Sequence, residues 1–193
     1  GVLSFVTNKG SRATITDQTV TMNDVADNRK ASVFVERIDE TAFVFSGSAA
    51  RPVIGTDFNS PNTIAWETAL VNDTVTYSHD TALSLSGEVT FNRSGDYLVI
   101  YNDALEISGT DMRLNPLIEL NLDGIPVAGA QTKSHYMRND TNAGNFESSG
   151  SLVFYLRGVA AGQSLTVSTA AEAGTTSGAI KDDSALLTII RKR

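Results

Sequence analysis

Three segments in the later part of the chain carry apolar residues at consecutive positions instead of alternating them with polar ones. They are residues 96–101 (DYLVIY), 152–156 (LVFYL) and 186–190 (LLTII). Successive side chains of a strand point to opposite faces, so an apolar run of this kind needs cover on both faces. In a small β domain without helices, we expect the second cover to be another copy of the chain or a partner.

The whole chain has the pattern of an antiparallel all-β fold, because short β-branched and aromatic runs are separated by clusters of Gly, Asn, Asp and Ser. The predicted strands are residues 13–16, 19–22, 31–37, 42–46, 64–69, 74–77, 82–85, 88–91, 97–104, 117–122, 125–131, 151–156, 164–169 and 185–191. Asp123-Gly124 predicts a two-residue hairpin. Pro126 predicts an edge strand after that hairpin, since proline cannot donate to the ladder.

The amino-terminal region differs from the rest. Residues 1–30 are rich in Thr, Asn and Asp and hold few large apolar residues beyond 2–6, so they cannot build a core of their own. We therefore predict that residues 1–40 form an extended arm or peripheral strands that dock on another surface, and that residues 41–193 form the β domain. Residues 139–150 and 170–183 are predicted to be exposed loops.

Composition argues against several classes of site and partner. The chain of 193 residues contains no cysteine, which leaves no disulfide, thiol nucleophile or thiolate metal site. Its formal net charge of −7 argues against a general nucleic-acid-binding protein. No apolar run is long enough to span a bilayer, and the amino end lacks the pattern of a signal peptide. We expect neither a nucleic acid nor a membrane as a partner.

Candidate catalytic and metal-binding groups are few. Ser78-His79-Asp80 contains the residue types of a hydrolase triad, but neighbouring side chains on a strand or turn point apart. His79 and His135 are the two imidazoles of the chain, and no third ligand stands at a spacing that suits zinc. Asp123 and Asp182-Asp183 belong to no calcium-loop motif. We predict that the protein is not an enzyme and has no metal or cofactor.

Five motifs, taken in order, resemble the tumour-necrosis-factor and complement-globular-head family of jelly rolls. They are IAW at 64–66, FNRSGDYLV at 91–99, LNLDG at 120–124, LRGVAAGQSLTV at 156–167 and ALLTII at 185–190. The resemblance covers roughly residues 42–193. It implies an antiparallel two-sheet jelly-roll sandwich that forms a homotrimer around aromatic and aliphatic side chains of its inner sheet. On this basis the candidate residues for the trimer interface are Tyr97, Tyr101, Phe154 and Tyr155, and either face of the strand around Tyr97 could lie on the axis.

The absence of cysteine and of a collagen-like stalk separates the chain from the secreted animal branch of that family. It is more similar to the jelly rolls on bacteriophage surfaces. The resemblance implies a virion protein on the outer capsid surface: a homotrimeric decoration (cement) protein that binds and stabilises a phage head. Its partners would be itself and, through the amino-terminal arm, the major capsid protein or another virion protein.

Three alternatives remain open. The first is a receptor- or carbohydrate-binding tip of a tail or head fibre, with the loops 139–150 and 170–183 lining a groove. The second is a secreted ligand carrying sugar on the sequons at Asn72, Asn92 and Asn139. The third is an enzyme of the cupin type, for which two scattered histidines provide too few ligands.

Overall fold

The computed structural model describes the chain in several stretches. They are residues 55, 57–79, 87–107, 112–133, 136–139, 146–172, 178–181 and 184–192, with the backbone alone of 3–6, 12–16, 19–23 and 42–46. The chain divides into two compact units, Gly1–Ile38 and Asp39–Arg193. Within the described stretches every regular element is a strand. No helix long and apolar enough to cross a membrane occurs in those stretches.

The smaller unit contains a three-stranded antiparallel sheet in the order β1-β2-β3. Its strands are β1 (Leu3–Val6), β2 (Arg12–Thr16) and β3 (Thr19–Asn23). The predicted strands 13–16 and 19–22 are therefore confirmed, and β1 is an addition to the prediction. The predicted strand 31–37 lies outside the described residues.

The larger unit carries the remaining strands. In chain order they are β4 (Ala42–Ser46), β5 (Asn62–Thr63), β6 (Thr68–Asn72), β7 (Tyr77–Ser78), β8 (Val89–Phe91), β9 (Gly95–Glu106), β10 (Met112–Leu114), β11 (Pro116–Leu122), β12 (Ile125–Lys133), β13 (Met137–Asn139), β14 (Glu147–Val159), β15 (Ser164–Ala171), β16 (Ala179–Ile180) and β17 (Leu186–Lys192).

These strands form two larger sheets and one ribbon. Sheet I has the order β14-β9-β17-β4-β6, with β16 paired to β9. Sheet II has the order β12-β11-β15-β8-β7, with β5 paired to β15. The pairs within both sheets are antiparallel, as are the two strands of the β10–β13 ribbon. The prediction of an antiparallel all-β fold is confirmed.

The core lies between the two sheets. Along β9 the inward positions Tyr97, Val99 and Tyr101 have no exposed surface, whereas the intervening residues are only partly buried. Across the interior, the rings of Tyr77 from sheet II and Tyr97 from sheet I have centroids 6.0 Å apart. The hydroxyl of Tyr77 donates a 3.2 Å hydrogen bond to the carbonyl of Ile189 in β17. Burial therefore alternates along the long strand β9, although its residues are apolar on both sides, and its inward aromatic residues lie in the core.

The hairpin predicted at Asp123-Gly124 is present. Asp123 has φ of 52° and Gly124 has φ of 76°, and Leu122 pairs with Ile125 on either side of them. Positive φ at both central residues is the requirement of a type I′ turn, which Asp-Gly satisfies. β12 is the terminal strand of its sheet path, so the prediction that Pro126 lies on an edge is also confirmed.

Several predicted elements are corrected. Residues 64–67 belong to no strand, although Ile64 and Trp66 are buried, and the strand that follows is β6. Residues 74–76 form a turn ahead of β7. Of the two predicted loops, residues 147–150 belong to β14, residues 170–171 to β15 and residues 179–180 to β16. The predicted strand 82–85 lies outside the described residues.

Candidate functional site

The outward side of sheet I carries apolar side chains on three adjacent strands. On β14, Val153 is 62% exposed and Tyr155 is 40% exposed. The outward aliphatic residues of β9 and β17 are half-buried. We call this set the apolar face; it consists of Leu98, Ile100, Val153, Tyr155, Leu186 and Ile190.

Cross-strand register makes the apolar face continuous. Val153 lies opposite Ile100, and Tyr155 lies opposite Leu98. Leu98 in turn lies opposite Ile190 on the next strand. Directly opposed residues of an antiparallel pair have Cβ atoms about 4.5–5.5 Å apart, so these residues are nearest neighbours across the strands. These five residues form one patch on the outside of the sheet, of the kind that marks an interaction surface. Leu186 lies beyond it, opposite Asn102 and separated from Ile190 by Thr188.

Charged residues border the apolar face at both ends of the strands. At one end Glu147 lies opposite Glu106, and Lys181 forms a 2.7 Å ion pair with Glu147. At the other end Asp96 and Lys192 lie opposite each other, next to the exposed Arg157. A polar border around an apolar centre is the usual arrangement of a protein–protein interface.

Tyr155 is held in place by this border. Its hydroxyl donates a 3.3 Å hydrogen bond to Oδ2 of Asp96, and the guanidinium of Arg157 lies 5.5 Å from the centre of its ring. Partial burial and the Asp96 carboxylate raise the pKa of the Tyr155 phenol above its ordinary value, so the hydroxyl remains a donor. The backbone amide of Gly158 donates a 2.8 Å hydrogen bond to the other oxygen of Asp96 and fixes that carboxylate.

The four residues predicted for the trimer interface fall into two groups. Tyr97 and Tyr101 are 0% exposed inside the sandwich, so they have no surface with which to contact another copy. Phe154 is half-buried against the core and lies on the side of β14 opposite to Tyr155. Of these four candidates, only Tyr155 lies on the apolar face. The interface hypothesis therefore keeps Tyr155 and replaces the other three with the outward aliphatic residues of the apolar face.

Among the described residues, Tyr101 and Asp103 form a buried ionisable pair beneath the apolar face. The hydroxyl of Tyr101 donates to Oδ2 of Asp103 at 2.5 Å, and the amide of Gly150 donates to Oδ1 at 2.7 Å. Burial raises the pKa of the Asp103 carboxyl, although both hydrogen bonds act in the opposite direction. Burial and the neighbouring Asp103 raise the pKa of the Tyr101 phenol well above its ordinary value. The pair joins β9 to β14 and is not accessible to a substrate.

The Ser78-His79-Asp80 sequence forms no catalytic arrangement in its described part. The ring nitrogens of His79 lie 2.7 Å from the carbonyl oxygen of Glu88 and 2.6 Å from that of Trp66. The hydroxyl of Ser78 donates to the side-chain oxygen of Asn92 at 2.9 Å. His79 thus ties the segment around Trp66 to the start of β8. Asp80, His135 and Asp182-Asp183 lie outside the described residues, and the described ones contain no group of three or more potential metal ligands.

Comparisons with known proteins identify no relative. No protein-family model matches the chain, and a search of curated proteins returned no match. The fold and the surfaces described above are therefore the basis for any functional assignment.

Proposed function

We propose that the larger unit is a jelly roll of the tumour-necrosis-factor type that assembles into a homotrimer through the apolar face. The order of strand pairing supports the jelly roll. β4 pairs with β17, β8 with β15, β9 with β14 and β11 with β12. The first of these eight strands thus pairs with the last, the second with the seventh, and so on inward, as in a long hairpin rolled into two sheets.

The observation that carries the self-association is the apolar face of sheet I. Burying one Leu, Ile, Val or Tyr side chain contributes about 1.5–3 kcal/mol. Association costs on the order of 4–15 kcal/mol in lost translational and rotational freedom, so several such residues per copy must be buried together. A second copy is a suitable occupant because it supplies the same aliphatic and aromatic surface. Threefold rather than twofold closure follows the resemblance of the sequence motifs to a trimeric family.

The role that fits such a trimer is attachment and reinforcement, and we propose a decoration protein on the outer surface of a phage head. In this proposal the smaller unit, Gly1–Ile38, provides the contact with the major capsid protein or another virion protein. Binding to the assembled shell, and not to its free subunits, stabilises the shell by mass action. A structural role also agrees with the engagement of His79 and Asp103 in internal hydrogen bonds.

The first experiment measures the mass of the full chain in solution by light scattering over a range of micromolar concentrations. A mass of three chains is expected, and a monomer at every concentration would contradict the proposal. The second asks whether the protein co-purifies with intact phage particles and is lost from them when residues 1–30 are deleted. A deleted chain that is still trimeric and still bound to particles would rule out docking through the smaller unit.

A fibre tip that binds receptors or carbohydrate remains the second candidate. The observation that favours it is the exposed aromatic ring of Tyr136, next to the β10–β13 ribbon in which Arg113 pairs with Arg138. Binding of the isolated trimer to a glycan array, without binding to capsids, would select this alternative over decoration.

A further inference from the structure

The turn of the β11–β12 hairpin places a side-chain carboxyl next to an unhindered backbone amide. In Asp123-Gly124 the nitrogen of Gly124 follows the residue that carries the carboxyl, and glycine has no side chain to obstruct a reaction between the two groups. Both residues are exposed. A Cβ atom built on Gly124 would have no neighbour within 4 Å among the described residues, apart from those adjacent in the chain. Crowding therefore does not keep the two groups from reacting.

Three hydrogen bonds hold Asp123 against the start of β15, and we call them the clasp. Oδ1 of its carboxylate accepts a 2.8 Å hydrogen bond from the amide of Ser164, and Oδ2 accepts one of 2.7 Å from the side-chain amide of Gln163. The amide of Asp123 donates to the carbonyl of Ser164 at 2.8 Å. Gln163 is itself positioned, because its side-chain oxygen accepts a 2.9 Å hydrogen bond from the amide of Ala160. Both carboxylate oxygens are thus engaged by donors outside the turn.

The clasp and the turn keep the carboxyl carbon away from the amide nitrogen. Positive φ at both central residues defines a type I′ turn, in which ψ of the first residue is about 30°. Closing a planar five-membered ring instead requires Cβ of Asp123 to eclipse the nitrogen of Gly124, so the main chain must rotate about the Cα–C bond of Asp123. Moving the carboxyl carbon to that nitrogen breaks the hydrogen bonds from Ser164 and Gln163.

The clasp also keeps the carboxyl in its less reactive form. Ring closure expels a hydroxyl group from the neutral carboxylic acid, whereas a carboxylate has no comparable leaving group. The hydrogen bonds from Ser164 and Gln163 lower the pKa of the Asp123 carboxyl below its ordinary value. At a given pH, a larger fraction of the folded chain than of an unfolded chain therefore carries the carboxylate.

We propose that Asp123-Gly124 is a site of isoaspartate formation that the clasp keeps closed in the folded protein. The nitrogen of Gly124 forms a bond to Cγ of Asp123, the Cγ–O bond breaks, and the hydroxyl leaves with the amide proton as water. One water then opens the succinimide. Attack at Cγ restores Asp123, whereas attack at the main-chain carbonyl carbon leaves the chain running through Cγ as isoaspartate. The site does not depend on the self-association proposed above.

Isoaspartate changes the hairpin in which it forms. It adds one carbon atom to the main chain within a two-residue turn and leaves the carboxylate attached to Cα. The pairing of Leu122 with Ile125, which closes the turn, and the hydrogen bonds to Ser164 depend on the original spacing. We therefore expect the converted chain to unfold at a lower urea concentration than the unconverted chain.

The test follows isoaspartate at residue 123 during prolonged incubation of the full chain at mildly acidic pH, below its unfolding temperature. Chromatographic separation of the peptide that carries residue 123, and labelling by an isoaspartate methyltransferase, measure the converted fraction. Gln163→Ala removes one donor of the clasp. Gln131→Ala is the matched control, because its side-chain amide donates a 2.6 Å hydrogen bond to a different carboxylate, that of Glu119.

Gln163→Ala is expected to form isoaspartate about three- to tenfold faster than the natural chain, as for loss of one hydrogen bond. Gln131→Ala should match the natural chain, and the natural chain unfolded in urea should react faster than the folded chain. A rate for Gln163→Ala no higher than that of the natural chain would overturn the role of the clasp. No isoaspartate at residue 123 even in urea would overturn the site. If circular dichroism shows that Gln163→Ala is unfolded, the comparison of the folded and urea-unfolded natural chain decides, and equal rates there overturn the proposal.

Discussion

Tyr101 donates a 2.5 Å hydrogen bond to the carboxylate of Asp103, two residues further along β9, inside the sandwich. The second oxygen of that carboxylate accepts from the amide of Gly150, which lies directly opposite Asp103 on β14. Both side chains belong to the inward face of β9, below the apolar face. The carboxylate thus adds a side-chain bridge between β9 and β14, the terminal strand of the path of sheet I, within a core that is otherwise mostly apolar.

Asp103 should make stability depend on pH in an unusual direction. Burial raises the pKa of its carboxyl in the folded chain, whereas an unfolded chain has the ordinary value of about 3.9. Protonation therefore favours the folded state, and this contribution is fully present below the unfolded pKa and is lost as the pH rises through the folded pKa. Urea unfolding of the natural chain and of Asp103→Asn should be compared from pH 4 to pH 7.

The variant isolates Asp103 because the other carboxyls titrate equally in both proteins. The free energy of unfolding of the natural chain, minus that of Asp103→Asn, is expected to become smaller as the pH rises. A difference that stays constant, or that grows with pH, would show that burial does not raise the pKa of the Asp103 carboxyl. The single Trp66, buried beside Tyr101 with ring centroids 6.1 Å apart, provides the fluorescence signal for the transition.

Gly150 should not tolerate a side chain. A Cβ atom there would lie 2.2 Å from Cδ1 of Ile118 and 2.4 Å from Oδ1 of Asp103. Gly150→Ala therefore overpacks the contact between the two sheets and should lower the free energy of unfolding by about 1–3 kcal/mol. Ser149→Ala is the matched control, because Ser149 is the exposed neighbour on the same strand. If both variants keep the natural free energy of unfolding in denaturant, Gly150 does not pack closely against Ile118 and Asp103.

A charge introduced into the apolar face should dissociate the trimer, whereas a charge at another exposed apolar position should not. Val153→Glu places a carboxylate in the middle of the proposed contact, so we expect it to shift the chain from trimer to monomer in light scattering. Ile125→Glu is the control, since Ile125 is 70% exposed on β12 of the other sheet. If both variants dissociate the trimer, or if neither does, the trimer does not form through the apolar face.

The sequence predicts that the strands in 96–101, 152–156 and 186–190 are apolar on both sides, but not which side of each strand faces the core. In the run 97–101 both sets are apolar, with Tyr97, Val99 and Tyr101 on one side and Leu98 and Ile100 on the other. Apolar content therefore cannot assign the faces. The structure assigns them through tertiary contacts, since the ring of Tyr97 meets Tyr77 from the second sheet. Tyr101→Asp should consequently unfold the chain and not merely dissociate it, because it puts a charge in the core.

The elements that could be predicted are those with local causes. Asp123-Gly124 encodes its turn through φ preferences, and the edge position of β12 follows from Pro126. The sequence predicts a strand over 64–69 because Ile64 and Trp66 have the apolar spacing of one, but residues 64–67 belong to no strand. Long-range contacts hold these residues instead: the amide of Ile64 donates to the carbonyl of Val167, and His79 approaches the carbonyl of Trp66. The pairing of Arg113 with Arg138 likewise depends on register between strands and has no local signal.

Asp123 should show a pH dependence opposite in sign to that of Asp103. Its carboxylate accepts from the amide of Ser164 at 2.8 Å and from the side chain of Gln163 at 2.7 Å, and these bonds lower the pKa of the carboxyl below its ordinary value. A lowered folded pKa gives stability that is present above the unfolded pKa and lost as the pH falls through the folded pKa. The natural chain should therefore be more stable than Asp123→Asn at neutral pH, with the difference shrinking in acid. Urea unfolding of Asp123→Asn and Asp103→Asn in one pH series tests both directions of pH dependence. If the stability difference from the natural chain changes with pH in the same direction for both variants, at least one of the two pKa shifts has been assigned the wrong direction.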